Sequence, residues 1–140
     1  MNTLQQIADI ESHYFQDAWD EVAIEGLLKS AYNGLLLETT DEQVMGYCLY
    51  SSVFETAEIL RIATHPNFTQ QGIAQRLLDS LLVTLVNRQA ETLMLEVRSD
   101  NTPAIAFYHK NGFKLINTRK GYYKNANGSA TDAMIMQKIL

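Results

Sequence analysis

Residues 67–82 read NFTQQGIAQRLLDSLL, and this run constrains the fold more than any other. Ile73, Leu77, Leu81 and Leu85 recur at steps of four, with Ala74, Leu78 and Leu82 beside them, which predicts a helix laying one broad apolar face on a sheet. Upstream, AEILRIATH reads as a strand stopped by Pro66, so the chain runs strand, Gly turn, helix. The next strand is TLMLEVR, about residues 92 to 98, and a helical crossover between two strands makes them parallel neighbours. Gly72 and Ala74 leave almost no side chain at the turn. Unpaired amide N–H groups at the helix start are therefore accessible, and with the helix dipole they make a site for anions, phosphates above all.

The rest of the chain alternates in type around this unit, as a single mixed α/β domain over residues 1–140 would. Thr3 is placed to cap a first helix with Leu4, Ile7, Ile10 and Tyr14 on one side, and Asp20 a second with Val22, Ile24, Leu27 and Leu28. GLLLE and VMGYCLYSSV flank TTDEQ as a hairpin. NTPAIAFYHKN predicts a short helix with Pro103 in its first turn and Gly112 past its end, followed by a strand pair around NANGS. At 140 residues and 46% apolar content the chain can bury a core without a metal or disulfide. The single cysteine has no partner, MNTLQQIADIE lacks the plan of a signal peptide, and the apolar runs are too short to span a bilayer, so a soluble cytoplasmic protein is expected. A net charge of −5 argues against direct binding to nucleic acid and suits a cationic partner.

Several side chains admit two readings. In TLMLEVR, Leu93, Leu95 and Val97 point one way and Met94, Glu96 and Arg98 the other, so Glu96 either pairs with Arg98 or serves chemistry. Tyr108 sits at packing intervals with Ala104 and Phe107, a core position by periodicity. Cys48, amid MGYCLYS, reads as a small core residue. His13, His65 and His109 lack ligand spacing, so no metal is expected, and His65 reads as a solvated strand end rather than a substrate contact. Alternation on an outer strand lets at most one of Tyr122 and Tyr123 face inward.

RIATHPNFTQQGIAQRLL, LEVRSDNTPAIAFYHKNGF, RKGYY and DAMIMQK, in this order, resemble the GNAT N-acetyltransferase family from about Leu60 to the end. Within that family they are most similar to the branch that acetylates the N-terminal alanine of a small-subunit ribosomal protein. The resemblance implies acetyl-CoA as co-substrate. Its pyrophosphate would lie on backbone amides of Gln70, Gln71, Gly72, Ile73, Ala74 and Gln75, its pantetheine along Ile62, Ala63 and Thr64, and Asn101 would contact it. It further implies Glu96 as general base, Tyr108 as the acid that protonates the leaving thiolate, and Tyr122 and Tyr123 near a basic acceptor peptide. An α-amine, with a pKa of ~8 against ~10.4 for a lysine side chain, suits a carboxylate base. Direct attack through a tetrahedral intermediate, with backbone N–H stabilising the oxyanion, needs no covalent enzyme intermediate. The chain departs from the family pattern at Thr69, where Gln or Arg opens the loop, and at Ala74, often Gly. The family's first strand is either missing or formed by Met1 to Thr3. The alternatives are a GNAT enzyme acting on a small-molecule amine and a non-catalytic acyl-CoA-binding module, which would need neither Glu96 nor Tyr108.

Overall fold

The computed structural model describes Met1–Leu140 as one six-stranded mixed sheet with helices on both faces. The strands are β1 (Asn33–Thr40), β2 (Gln43–Val53), β3 (Thr56–Thr64), β4 (Thr92–Arg98), β5 (Lys114–Lys124) and β6 (Ala130–Ile139), in the order β1-β2-β3-β4-β6-β5. The helices are α1 (Thr3–Tyr14), α2 (Glu21–Leu28), α3 (Ile73–Asn87) and α4 (Thr102–Lys110), and a single 3-10 turn, Pro66–Phe68, leads from β3 toward α3.

Side-chain periodicity divides the core in two. Ile73, Leu77, Leu78, Leu81 and Leu85 bury the predicted face of α3 against Leu93, Leu95 and Val97 of β4, Ile59 of β3 and Tyr108 of α4. On the other face Ile7 and Ile10 of α1 and Ile24 of α2 meet Val44, Tyr47 and Leu49 of β2. α1 packs on β2 and β3 and α2 on β1, so the half of that face carried by β4, β6 and β5 has no packed helix over it.

Several local expectations are corrected. The cap of α1 is Asn2, not Thr3: its side chain accepts from Gln5 N–H while the Gln5 side chain accepts from Asn2 N–H, a reciprocal capping box. Met1 to Thr3 form no strand, because Thr3 is already helical. Asp20 caps α2 as expected, accepting from Ala23 N–H at 2.8 Å, but Val22 is 77% exposed. The hairpin turn shrinks to Asp41 and Glu42, with Asp41 in the left-handed region at φ 47°.

Two irregularities in the sheet matter for function. β3 and β4 are parallel neighbours, yet they pair only from Thr56↔Thr92 to Ile59↔Leu95. Beyond that point both strands continue apart, to Thr64 and Arg98. On the other edge of β3, Tyr50 faces Ile59 and Leu49 faces Arg61, which leaves Leu60 as an extra, bulged residue. Since side chains alternate, one inserted residue reverses the parity: Ile59 and Ile62 both join the α3 core, and Arg61 turns to the α1 side with Leu49.

Candidate active site

The parting of β3 from β4 leaves the far edge of β3 uncovered from Leu60 to Thr64, a length of about 16 Å at ordinary strand rise. His65 N–H donates to the Met45 carbonyl on β2 at 2.8 Å. Backbone groups alternate in direction along an antiparallel strand, so Ala63 also turns to β2, whereas Ile62 and Thr64 aim N–H and C=O into the gap. An extended, amide-bearing ligand can add there as a strand would.

That edge leads to the helix-start turn. Gln70 and Gly72 both have positive φ, 61° and 77°, on either side of Gln71, and Gly72 is the N-cap of α3 without any side-chain cap. The first intrahelical bond is Arg76 N–H to the Gly72 carbonyl, so the amides of Ile73, Ala74 and Gln75 remain free at the positive end of the dipole. Close approach of this turn to the sheet depends on Gly46 of β2, where a Cβ would stand 2.5 Å from Ile73 Cγ2. The Asn101 side chain caps α4 through Ala104 N–H at 3.3 Å, leaving its amide nitrogen without a protein partner. The Gln75 side chain is bonded to Asp79 and Asn111. Thr69 adds a weak hydroxyl contact to the Pro66 carbonyl at 3.5 Å and leaves the turn's amides untouched. Arg76, not expected from the sequence, donates to the Gln71 carbonyl at 3.1 Å and brings a cation to the lip of the turn.

Tyr108 and Glu96 stand on opposite sides of the sheet at the gap. Tyr108 is 6% exposed, its ring edge-on to Phe107 and Phe113, both at 5.4 Å between centroids. Its hydroxyl has no protein hydrogen bond, yet every fully buried side-chain polar atom is partnered, so that oxygen keeps some exposure to solvent. Burial, aided by Cys48, pushes its pKa above the ordinary tyrosine range, and it stays protonated at neutral pH. Glu96 points to the open half of the other face with Glu58, whose strand neighbour is Met94. Glu96 does not pair with Arg98: Arg98 holds Asp100 through two bonds of 3.0 Å and also reaches Asn125 and Thr131. The cation opposite Glu96 is Arg119 of β5, at 3.5 Å, a partner the sequence reading missed because it depends on strand register. Glu58 has its carboxyl raised, chiefly by desolvation and then by the charge of Glu96, with Arg119 opposing.

Both tyrosines of the β5 pair lie here. The register shifts between Arg119 and Tyr123, and the rings meet edge to face at 5.2 Å, Tyr122 under Arg119 and Tyr123 under Arg98. Burial still alternates there, with Tyr123 half-buried and Tyr122 exposed, so only one of the two turns inward. His65 is a cap instead: its Nδ1 accepts from Asn67 N–H at 3.0 Å. No group of three or more His, Cys, Asp or Glu side chains is placed to hold a metal, and no helix is long and apolar enough to cross a membrane.

Residues 4–113 match the acetyltransferase (GNAT) family. The chain belongs to this family. Like other GNAT acetyltransferases it takes its acetyl group from acetyl-CoA. The chain is 35% identical over 127 residues to the [ribosomal protein bS18]-alanine N-acetyltransferase of Salmonella typhimurium, covering 91% of this chain and 84% of that one. The crystal structure of the ribosomal-protein-S18-alanine N-acetyltransferase from Escherichia coli superimposes with a TM-score of 0.89 at 28% identity, covering 99% of this chain and 90% of that one. A GNAT acetyltransferase from Elizabethkingia anophelis, solved with acetyl-CoA bound, matches at a TM-score of 0.72 and 25% identity over 84% of this chain and 81% of its own. The mixed sheet flanked by helices expected from the resemblance is thus the GNAT fold, and the likeness places the chain beside the RimI branch.

Proposed function

We propose that this GNAT enzyme acetylates the α-amine of a protein N-terminus, an alanine on a basic ribosomal protein, with Glu96 as base and Tyr108 as acid. The observation that carries this reading is the division of the site: a partnerless tyrosine hydroxyl on the α3 side of the gap and a carboxylate on the open side. The pyrophosphate rests on amides from Gln70 to Gln75, and the pantetheine lies along Ile62, Ala63 and Thr64, with Asn101 at its side. The acceptor enters from the β4–β6–β5 face past Tyr122 and Tyr123. Its ammonium displaces Arg119 from Glu96 and loses a proton to that carboxylate, directly or through water. The neutral nitrogen attacks the thioester carbonyl, and N–H groups of Ile62 or Thr64 hold the oxyanion. Collapse breaks the C–S bond and the thiolate takes the Tyr108 proton and leaves as CoA, while the new amide nitrogen sheds its second proton to the resulting phenolate, directly or through water, and Glu96 releases its proton to solvent.

The acceptor assignment is supported by the relatives, whose names specify alanine on ribosomal protein bS18. It is tested by intact-mass analysis after incubation with acetyl-CoA and either an Ala-first peptide carrying arginines at the following positions or a panel of small amines. One added acetyl group on the peptide N-terminus is the expected product. Acetylation of spermidine or an aminoglycoside in preference to the peptide refutes the protein substrate.

A further inference from the structure

Arg61 has no place in the chemistry above, yet its guanidinium makes three hydrogen bonds and lies against two aromatic rings. The Leu60 bulge turns it to the α1 side, where 14% of its side chain remains exposed. Its guanidinium lies 4.2 Å from the Phe15 ring centroid and 4.3 Å from that of Trp19. Nε donates to Glu11 Oε1 at 3.2 Å, and Nη2 donates to the Asp17 carbonyl at 3.2 Å and to Asp17 Oδ1 at 3.0 Å. Every one of these partners belongs to the end of α1 or to the connection between α1 and α2.

The other end of the network is fixed. Glu11 is fully buried, and it also accepts from the Tyr47 hydroxyl and from Trp19 N–H at 3.1 Å. A buried ion pair is a poor way to fill a core, since apolar side chains of the same volume serve stability as well or better. What a planar guanidinium adds is geometry: two rings and three oxygens held in fixed directions. The segment so held borders the acceptor face. Arg61 lies on β3 on the same face of the sheet as Glu96 of the neighbouring β4, and α1 covers that face only over β2 and β3, so the held segment stands beside the open half carried by β4, β6 and β5.

We propose that Arg61 is a positioning residue that fixes Phe15–Asp20 as a wall of the acceptor site and thereby sets acceptor affinity without contacting acetyl-CoA. This rests on the reading that the open β4 face receives the acceptor. Asp17 is the informative arm of the clamp, because its side chain is 76% exposed and its removal spares the core.

The test compares the parent with Asp17→Ala, Arg61→Lys and Arg61→Gln, measuring KM for the Ala-first peptide, kcat, and acetyl-CoA affinity by calorimetry. Trp19 is the sole tryptophan, so its emission reports the connection directly. Loss of one charge-assisted hydrogen bond corresponds to about tenfold in affinity, so Asp17→Ala should raise the peptide KM by about that factor. Arg61→Gln should raise it further, Arg61→Lys should fall between parent and Gln, and acetyl-CoA affinity should stay within about twofold. Asp17→Ala combined with Arg61→Gln should be no worse than Arg61→Gln alone, since both remove one contact. Peptide, but not acetyl-CoA, should change Trp19 emission in the parent. The clamp is overturned if Asp17→Ala and Arg61→Lys leave acceptor KM unchanged, or if acceptor and acetyl-CoA affinities fall together. Should Arg61→Gln fail to fold, the other two variants decide. Parent activity on the peptide tests the acceptor class separately: if the parent prefers spermidine, the same ratios are measured with spermidine.

Discussion

The Tyr108 ring is a core residue and its hydroxyl is not, so in the proposed mechanism one side chain serves packing and catalysis through different atoms. Tyr108→Phe keeps the ring contacts with Phe107 and Phe113 and removes the proton donor. Acetyl-CoA affinity is expected to hold while kcat falls by ~10²–10⁴, the usual range for general acid–base catalysis; an unchanged kcat in steady-state assays returns Tyr108 to packing alone. Glu96→Gln likewise preserves shape, with Arg119 left facing a neutral amide. Its deficit should be largest at low pH, where few acceptor amines are neutral, and should shrink as pH passes the α-amine value of ~8. A pH profile of kcat/KM for both enzymes checks this, and a loss equal at every pH removes Glu96 as base.

At the scale of elements, acetyl-CoA in the proposed mode sits on the strand, turn and helix around Gly72, and two glycines, Gly72 of that turn and Gly46 of β2, answer different needs. Gly72 supplies a left-handed N-cap, and Gly72→Glu should abolish CoA binding in calorimetry through bulk and charge while the circular dichroism spectrum stays near native. Gly46 supplies clearance under Ile73, so Gly46→Ala should push the start of α3 off the sheet and weaken CoA binding with every phosphate-binding residue intact. The elements themselves were legible in the sequence because each follows one periodicity: steps of four in Ile73, Leu77, Leu81 and Leu85, and strict alternation in Leu93, Leu95 and Val97. The devices that shape the site were not. A bulge at Leu60 is one residue of ordinary composition, yet it decides which face receives Arg61. The shift between Arg119 and Tyr123 likewise sets which cation lies over each tyrosine, Arg119 over Tyr122 and Arg98 over Tyr123. Ion pairing follows register, which spacing along one strand does not encode, so Glu96 finds Arg119 across two strands rather than Arg98 beside it. Glu11 carried a usable signal, being a charge on the Ile7, Ile10 and Tyr14 side of α1, where only burial with a partner explains it.

As a whole the molecule is an acidic body around a core that includes Cys48, Tyr47 and Tyr108. Burial pushes the Cys48 thiol up to about 12, and raises the Tyr47 and Tyr108 phenols above the tyrosine range. Each is neutral when protonated and has its folded pKa above its unfolded one, so its contribution to stability is complete below the unfolded values and is lost as pH climbs toward the folded ones. Urea midpoints should therefore hold up to about pH 9 and fall above it, with a shallower fall in Cys48→Ala. The same charge balance governs encounter with the two substrates in opposite senses. The protein carries −5 overall, with Glu58, Glu96 and Asp17 near the proposed acceptor face, whereas acetyl-CoA is itself an anion that in the proposed mode reaches the Gly72 turn against that field. Screening acts mainly on the approach of charges, and at ~0.15 M salt interactions beyond about 8 Å are largely damped. Raising salt should lower kcat/KM for an Ala-first, arginine-rich peptide, leave kcat unchanged, and leave kcat/KM for acetyl-CoA level or higher. An Ala-first peptide with the arginines replaced by glutamine should show no such fall. If both peptides respond equally to salt in initial-rate measurements, the acidic face has no part in choosing a basic acceptor.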